Sequence, residues 1–315
     1  MKKALIVAAL LACALAVFAD DGTVLPAGVF RARVIPTYGW VPGEYDKDGN
    51  YKAFPISPSP VPDGAITSPN LGFALEYGVN DWVTLGLQWA PGITFGSKVP
   101  TPTGFPIDLT VNGLYDLFAG VMVQIVGPKA PVVSDVIRFD LTPGVKIPLG
   151  GTDLASQTGS TQVAMNPDKQ TLGIGGRLYL DYVFSQSLFL DLYTQFIDYP
   201  NKELAKYNNY GGDVDYGYDL RVELDPHYST QISDGLTFSA NCAFRYDAAP
   251  DMKIDGTTAS DTAMSYISAN PSVSLFLTKT FMPLEFTLDY GQPITGTNAF
   301  ETYSVDLQIK AYFKL

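Results

Sequence analysis

Long apolar runs are what this chain lacks most. Beyond residue 19 no stretch reaches the roughly 20 apolar residues that a membrane-crossing helix needs. A helical membrane protein is thereby excluded for that part of the chain. Cysteine is also scarce, with Cys13 and Cys242 the only two. Once a leader containing Cys13 is removed, no internal disulfide can form. His227 is the single histidine, so no paired-cysteine or histidine spacing offers a metal site, and no cofactor is expected. Positive charge is in deficit: 20 Lys and Arg stand against 32 Asp and Glu, for a net charge of −12. A chain this acidic, without a basic patch, is a poor nucleic-acid binder. Charged residues are only 17% of the total.

The start of the chain sets a compartment. Lys2 and Lys3 precede an unbroken run of small and apolar residues, Ala4 to Val17. Val17-Phe18-Ala19 then offers small residues at the third and last positions before a cut. This is the three-part pattern of a secretory signal peptide over residues 1–19. The run is too short for a helical anchor. Leu10-Leu11-Ala12-Cys13 loosely resembles a lipoprotein signal, but cutting there would leave an unusually short leader.

The remainder, 20–315, alternates. Aromatic residues are 13% of the chain, and mean hydropathy is near zero. That balance suits a protein in which every second residue faces lipid, because the polar half dilutes the average. Period two dominates. Phe30, Ala32, Val34, Tyr38 and Trp40 oppose Arg31, Arg33 and Thr37. Tyr218, Leu220, Val222, Leu224 and Tyr228 oppose Asp219, Arg221, Glu223, Asp225, His227 and Ser229. Tyr303, Val305, Leu307, Ile309, Ala311, Phe313 and Leu315 oppose Ser304, Asp306, Gln308, Lys310 and Lys314. Similar segments begin near residues 71, 83, 117, 139, 178, 188, 236, 267 and 284. Connections alternate between short turns, near 79–81, 127–128, 185–187, 233–235 and 280–282, and long polar loops, near 41–70, 91–111, 150–170, 200–216, 248–262 and 291–300.

These features predict an all-β fold, an antiparallel transmembrane β-barrel of about twelve strands, in one domain. A soluble sandwich also alternates. Three features separate the two. The terminal strand stays apolar at every second place to its last residue. Several apolar faces run for five to seven alternations, longer than sandwich strands usually do. Aromatic residues also collect at strand ends as two girdles: Tyr77, Trp82, Phe184, Tyr228 and Phe281 near short turns, and Trp40, Trp89, Tyr199, Tyr246 and Tyr290 near long loops. Pro36, Pro143, Pro226 and Pro271 fall inside strands, where each removes a ladder donor. They are expected at bulges or beyond the bilayer.

Leu75-Glu-Tyr-Gly-Val-Asn-Asp-Trp-Val-Thr-Leu-Gly-Leu-Gln-Trp89 reads as strand, tight turn and strand. Gly113-Leu-Tyr-Asp-Leu-Phe-Ala-Gly-Val121, Leu141-Thr-Pro-Gly-Val-Lys-Ile-Pro-Leu-Gly150 and Thr171-Leu-Gly-Ile-Gly-Gly176 follow in order. This succession resembles the outer-membrane proteins of the phenol-degradation meta-pathway transporter family, over roughly residues 27–315. The resemblance implies an outer-membrane location and a channel for small, often aromatic or hydrophobic, solutes. It carries no site residues.

The candidate site is the set of charges on the faces turned away from lipid: Arg31, Arg33, Arg138, Lys146, Arg177, Asp181, Asp219, Arg221, Glu223, Asp225, His227, Arg245 and Lys310. A charged ring can select solutes. The same residues can instead pair with one another and fill the lumen, as in small barrels. His227-Tyr228-Ser229 with Asn241 is the one enzymatic constellation, since a histidine can activate a serine. The alternation, however, turns these groups away from lipid, where a lipid hydrolase would need them. A histidine paired with Asp225 or Glu223 is the simpler reading, and no enzyme is expected. Asp46-Lys47-Asp48-Gly49-Asn50 resembles the start of a calcium loop, but Tyr51 and Ser57 stand where glycine and glutamate belong, so a turn is expected.

Three functions remain: a passive channel, a structural or adhesive surface barrel, and a lipid hydrolase. The expected partners are outer-membrane lipid, a small solute and the barrel-assembly machinery, with the outer membrane of a Gram-negative-type bacterium as location.

Overall fold

The structure, a computed structural model, describes residues 23–53, 66–99, 109–150, 169, 171–200 and 213–314. The expected leader, 1–19, and Leu315 lie outside the described residues. Period-two sequence becomes strand throughout. Twelve long strands form the wall: β1 (Val29–Val41), β2 (Ile66–Asn80), β3 (Val83–Val99), β4 (Leu117–Gly127), β5 (Ile137–Ile147), β6 (Gly173–Ser185), β7 (Leu188–Asp198), β8 (Tyr218–Ser233), β9 (Leu236–Ala249), β10 (Met264–Leu277), β11 (Leu284–Thr297) and β12 (Tyr303–Lys314). Each pairs antiparallel with its neighbours in sequence. β12 then pairs with β1, from Val29 opposite Lys314 to Trp40 opposite Tyr303, and the barrel is closed. Closure removes every edge from the ring, which a spanning sheet requires because lipid offers no hydrogen bonds.

The faces follow the expected parity. Leu75, Leu87, Val121, Leu141, Leu180, Leu224, Phe244, Val273, Leu288 and Val305 are exposed on the outside. Arg31, Thr84, Gln124, Thr142, Asp181, Asp225, Thr237, Ser272, Glu285 and Lys310 are buried inside. The short-turn end carries Trp82, Phe184, Tyr228 and Phe281, all exposed. There Phe30 also bridges the seam, 4.5 Å from Tyr77 and 5.5 Å from Phe313. At the other end Trp40 stacks on Tyr303 and Trp89 on Phe73. Tyr199 is a correction. It is 2% exposed and belongs to the interior. It has the parity of Tyr193 and Ile197, which point inward, and parity outweighs its position near a loop.

The prolines are a second correction. Pro36 pairs with Leu71, Pro143 with Gly176, Pro226 with Leu190 and Pro271 with Cys242, each on one neighbouring strand. On its other side each leaves a break in the ladder that resumes in unchanged register. The pairs Val34–Ile309 and Thr37–Asp306 flank the break at Pro36; Leu224–Phe244 and His227–Asn241 flank that at Pro226; Ala269–Gln292 and Ser272–Asp289 flank that at Pro271. No bulge is needed. The cost is one missing bond per proline, about 1 kcal/mol net each.

Two connections also differ from expectation. The turn expected at Gly127-Pro128 is longer, running to Val136 with a short strand, Val132–Val133, laid parallel against Val126 and Gly127. β11 continues to Thr297, so the final outer connection is short. The outer loops are knitted by small sheets. Gly43–Tyr45 pairs with both Tyr51–Ala53 and Ala299–Phe300, and Val214–Asp215 pairs with Lys253–Ile254. The Asp46 region is a turn, as expected. The Asp46 carboxylate accepts the backbone N–H bonds of Asp48 and Asn50 and faces Lys52 at 3.0 Å. Asn50 and Lys52 hold its acid constant down at about 2.

Candidate functional site

Every one of the thirteen charged positions faces the interior, but they separate into three levels. At the short-turn end the pairs are tight. Arg31 grips Glu76 through two nitrogens, with Nη2 to Oε1 at 2.8 Å, and Arg33 reaches the same carboxylate at 3.0 Å. Lys310, 1% exposed, bonds Glu285 at 3.1 Å, and the Tyr312 hydroxyl donates to the other oxygen at 2.7 Å. Arg138 lies 3.4 Å from Asp181. His227 stacks flat on Phe189, centroids 4.4 Å apart, with Nε2 2.9 Å from Asp225. Asn241, in register with His227, donates to that same Asp225 at 2.7 Å and accepts from Ser272. The histidine ring nitrogen thus faces the Asp225 carboxylate, one of the two partners expected from the sequence.

This end also receives the chain's own backbone. Val24 and Leu25 are buried, and Leu25 N–H donates to the inward Thr84 hydroxyl at 2.8 Å. Gly78 faces the Leu25 and Pro26 carbonyls so closely that a Cβ there would collide with both. Gly28 N–H donates to Gly78 C=O at 2.7 Å.

Midway along the lumen Arg221 and Arg245 share Asp247, at 2.7 and 2.6 Å, and both lie 3.7 Å from Glu223. Two cations and two anions balance there. Arg177 is different. It bonds the neutral Gln88 at 2.5 Å and Gln195 at 3.0 Å, and its guanidinium carbon stands 3.9 Å over the Phe118 ring. That ring lies on a floor without side chains. Gly86, Gly120, Gly144 and Gly175 are successive register partners across β3, β4, β5 and β6. A Cβ at Gly120 or Gly144 would meet the Phe118 ring. Tyr179 and Tyr193 pack beside this ledge, 5.0 Å apart.

At the long-loop end Lys146 faces Asp116 at 3.2 Å and donates to the Tyr199 hydroxyl, also at 3.2 Å. Tyr199 donates to Asp219 at 2.6 Å, and Lys169 completes the cluster against Asp219 and over the Tyr199 ring. Burial beside the Asp219 carboxylate pushes the Tyr199 hydroxyl up, and burial pulls the Lys169 ammonium down.

Between the two ends lies a cavity of about 350 Å³. Of the expected residues, Arg31, Arg33, Arg177, Arg221, Glu223, Asp225 and Arg245 line it; Arg138, Lys146, Asp181, Asp219, His227 and Lys310 do not. Sequence reasoning placed Glu76, Asp289 and Asp306 on the correct face without singling them out, and did not place Phe118. The adjacency of Gly120 to Phe118 was the available signal for the ledge.

No protein-family model matches the chain, and no curated protein matches it. Among solved structures, the COG4313 outer membrane channel from Pseudomonas putida F1 is similar at a TM-score of 0.68 and 15% identity, over 94% of this chain and 100% of that one. The chain has the fold of an outer-membrane channel. The NanC porin aligns at a TM-score of 0.43 and 11% identity, over 90% of this chain and 100% of its own. The toluene transporter TodX of P. putida aligns at 0.37 and 12%, over 91% and 89%.

Proposed function

We propose that the chain forms a passive outer-membrane channel for small solutes, hydrophobic or aromatic molecules among them. The observation that carries this reading is the cavity itself, lying inside a closed barrel that is apolar outside and polar within. The half-buried Tyr193 ring, packed on Tyr179, gives an aromatic or apolar solute a surface at the cavity wall. The TM-score of 0.68 to an outer membrane channel supports the same location and architecture. No catalytic step is assigned: His227 is buried on the inner face, stacked on Phe189 beside Asp225, away from lipid. Residues 1–19 are read as a leader, so the exported protein is expected to begin at Asp20; amino-terminal sequencing that found Met1 or a lipidated Cys13 would refute this.

A structural or adhesive barrel is the second reading, favoured by the Thr23–Pro26 segment and the ion pairs at the short-turn end. Planar-bilayer recording separates the two. Discrete conductance steps from the purified protein support the channel; a silent, heat-modifiable barrel supports the structural role.

A further inference from the structure

The charges of the cavity wall do not all cancel locally. Arg177 on β6 bonds two glutamine oxygens and a ring, and no carboxylate pairs with it among the described residues. Asp306 on β12 accepts a hydrogen bond from Ser304 at 3.2 Å, and no cation pairs with it among the described residues. Arg245 is bonded to Asp247 instead. Asp306 also stands directly opposite a second carboxylate, Asp289, in the β11–β12 register. Like charges placed in register destabilise a sheet, so packing does not explain the arrangement.

Position gives these charges a meaning. β6 and β12 are six strands apart in a ring of twelve, so they are on opposite walls. Both Arg177 and Asp306 line the same cavity. Strands about 4.8 Å apart, tilted about 40°, make a twelve-stranded ring roughly 24 Å across between backbones. Side chains from both walls fill much of that width and leave the cavity of about 350 Å³. A small solute there touches one wall and feels the other through a field that low-dielectric walls strengthen.

We infer that the channel favours small zwitterions, whose carboxylate is received at Arg177 while the Asp306 wall orients the ammonium. This rests on the channel reading. A guanidinium fixed from behind by Phe118 and two glutamines keeps its remaining donors for a carboxylate, which suits the fork geometry of arginine. An ion of one sign is attracted by one wall and repelled by the other. A zwitterion satisfies both in a single orientation.

The test uses the full mature protein in liposomes, with γ-aminobutyrate as the zwitterion and erythritol as the uncharged probe. Swelling rates are measured for wild type, Arg177→Gln and Asp306→Asn, with heat-modifiability confirming that each barrel is folded. Wild type should admit γ-aminobutyrate about threefold faster than erythritol, and each substitution should bring the ratio close to one. In a planar bilayer, Arg177→Gln should move the reversal potential toward cation selectivity and Asp306→Asn toward anion selectivity. Swelling by both probes at equal rates in wild type, or a ratio unmoved by either folded variant, overturns the zwitterion inference and leaves the channel standing. No swelling and no conductance for wild type overturns the channel reading and the inference with it. Should one variant fail to fold, the other decides alone.

Discussion

Arg177 holds its guanidinium carbon 3.9 Å above the centre of the Phe118 ring, and the ring itself lies over Gly120 and Gly144. This is a three-layer stack of glycine wall, aromatic ring and cation. It presses an arginine against one side of the lumen, at the wall of the cavity.

Lys310 and Glu285 show what the inner pairs do. Lys310→Met should lower stability by about 3–5 kcal/mol, because it strands a buried carboxylate. Adding Glu285→Gln, which keeps an acceptor for Tyr312, should recover most of that loss. Urea midpoints of the liposome-inserted protein report both. Equal midpoints for Lys310→Met and wild type would show that the pair is not coupled.

Neighbouring residues should respond oppositely to charge. Val222→Arg puts a cation into lipid at a cost of about 2–4 kcal/mol near the midplane. Glu223→Gln changes an inward residue already shared by Arg221 and Arg245. The yield of heat-modifiable barrel should fall sharply for the first and stay near wild type for the second. Similar yields would contradict the facing of β8.

The outer hairpin should loosen in acid. The Asp46 carboxyl is held at about 2, below its ordinary 3.8, first by the Asn50 N–H and then by Lys52. A depressed folded value means that the carboxylate's contribution is complete above about pH 4 and is lost as pH falls through about 2. Amide protection of Asp48 and Asn50 should drop across that window while the amides of β1 do not change. Uniform protection throughout would remove Asp46 as the organiser of the turn.

Gly78→Ala should unseat the segment at the short-turn end. The added methyl meets the Leu25 and Pro26 carbonyls, which belong to backbone and cannot rotate away. Thr23–Gly28 should become open to protease from that side, and conductance should rise. Unchanged proteolysis would place the segment's hold elsewhere.

Much of this architecture can be read in the sequence because the period of a strand is two. One correct parity assigns a whole strand, which is why all thirteen charges fall inside. Pairing partners were not legible in the same way. Glu76 meets Arg31 and Arg33 only because β1 and β2 are in one particular register. Tyr199 was misplaced because its distance from a loop was weighed above its parity. The prolines were expected at bulges or beyond the bilayer because a closed ring has no free edge. The ladder instead omits bonds on one side and keeps its register. Phe118 carried no charge to mark it, and its role depends on glycines contributed by neighbouring strands.

The seam between β1 and β12 joins the two ends of the chain, and Gly43–Tyr45 with Ala299–Phe300 laces it again on the outside. These contacts span almost the whole sequence, so they are the costliest in loop entropy. Until residues near Lys314 are in place, the growing sheet has two bare edges that invite pairing with any other strand. Ring closure therefore depends on the carboxyl-terminal strand, and a sheet without it keeps both edges open.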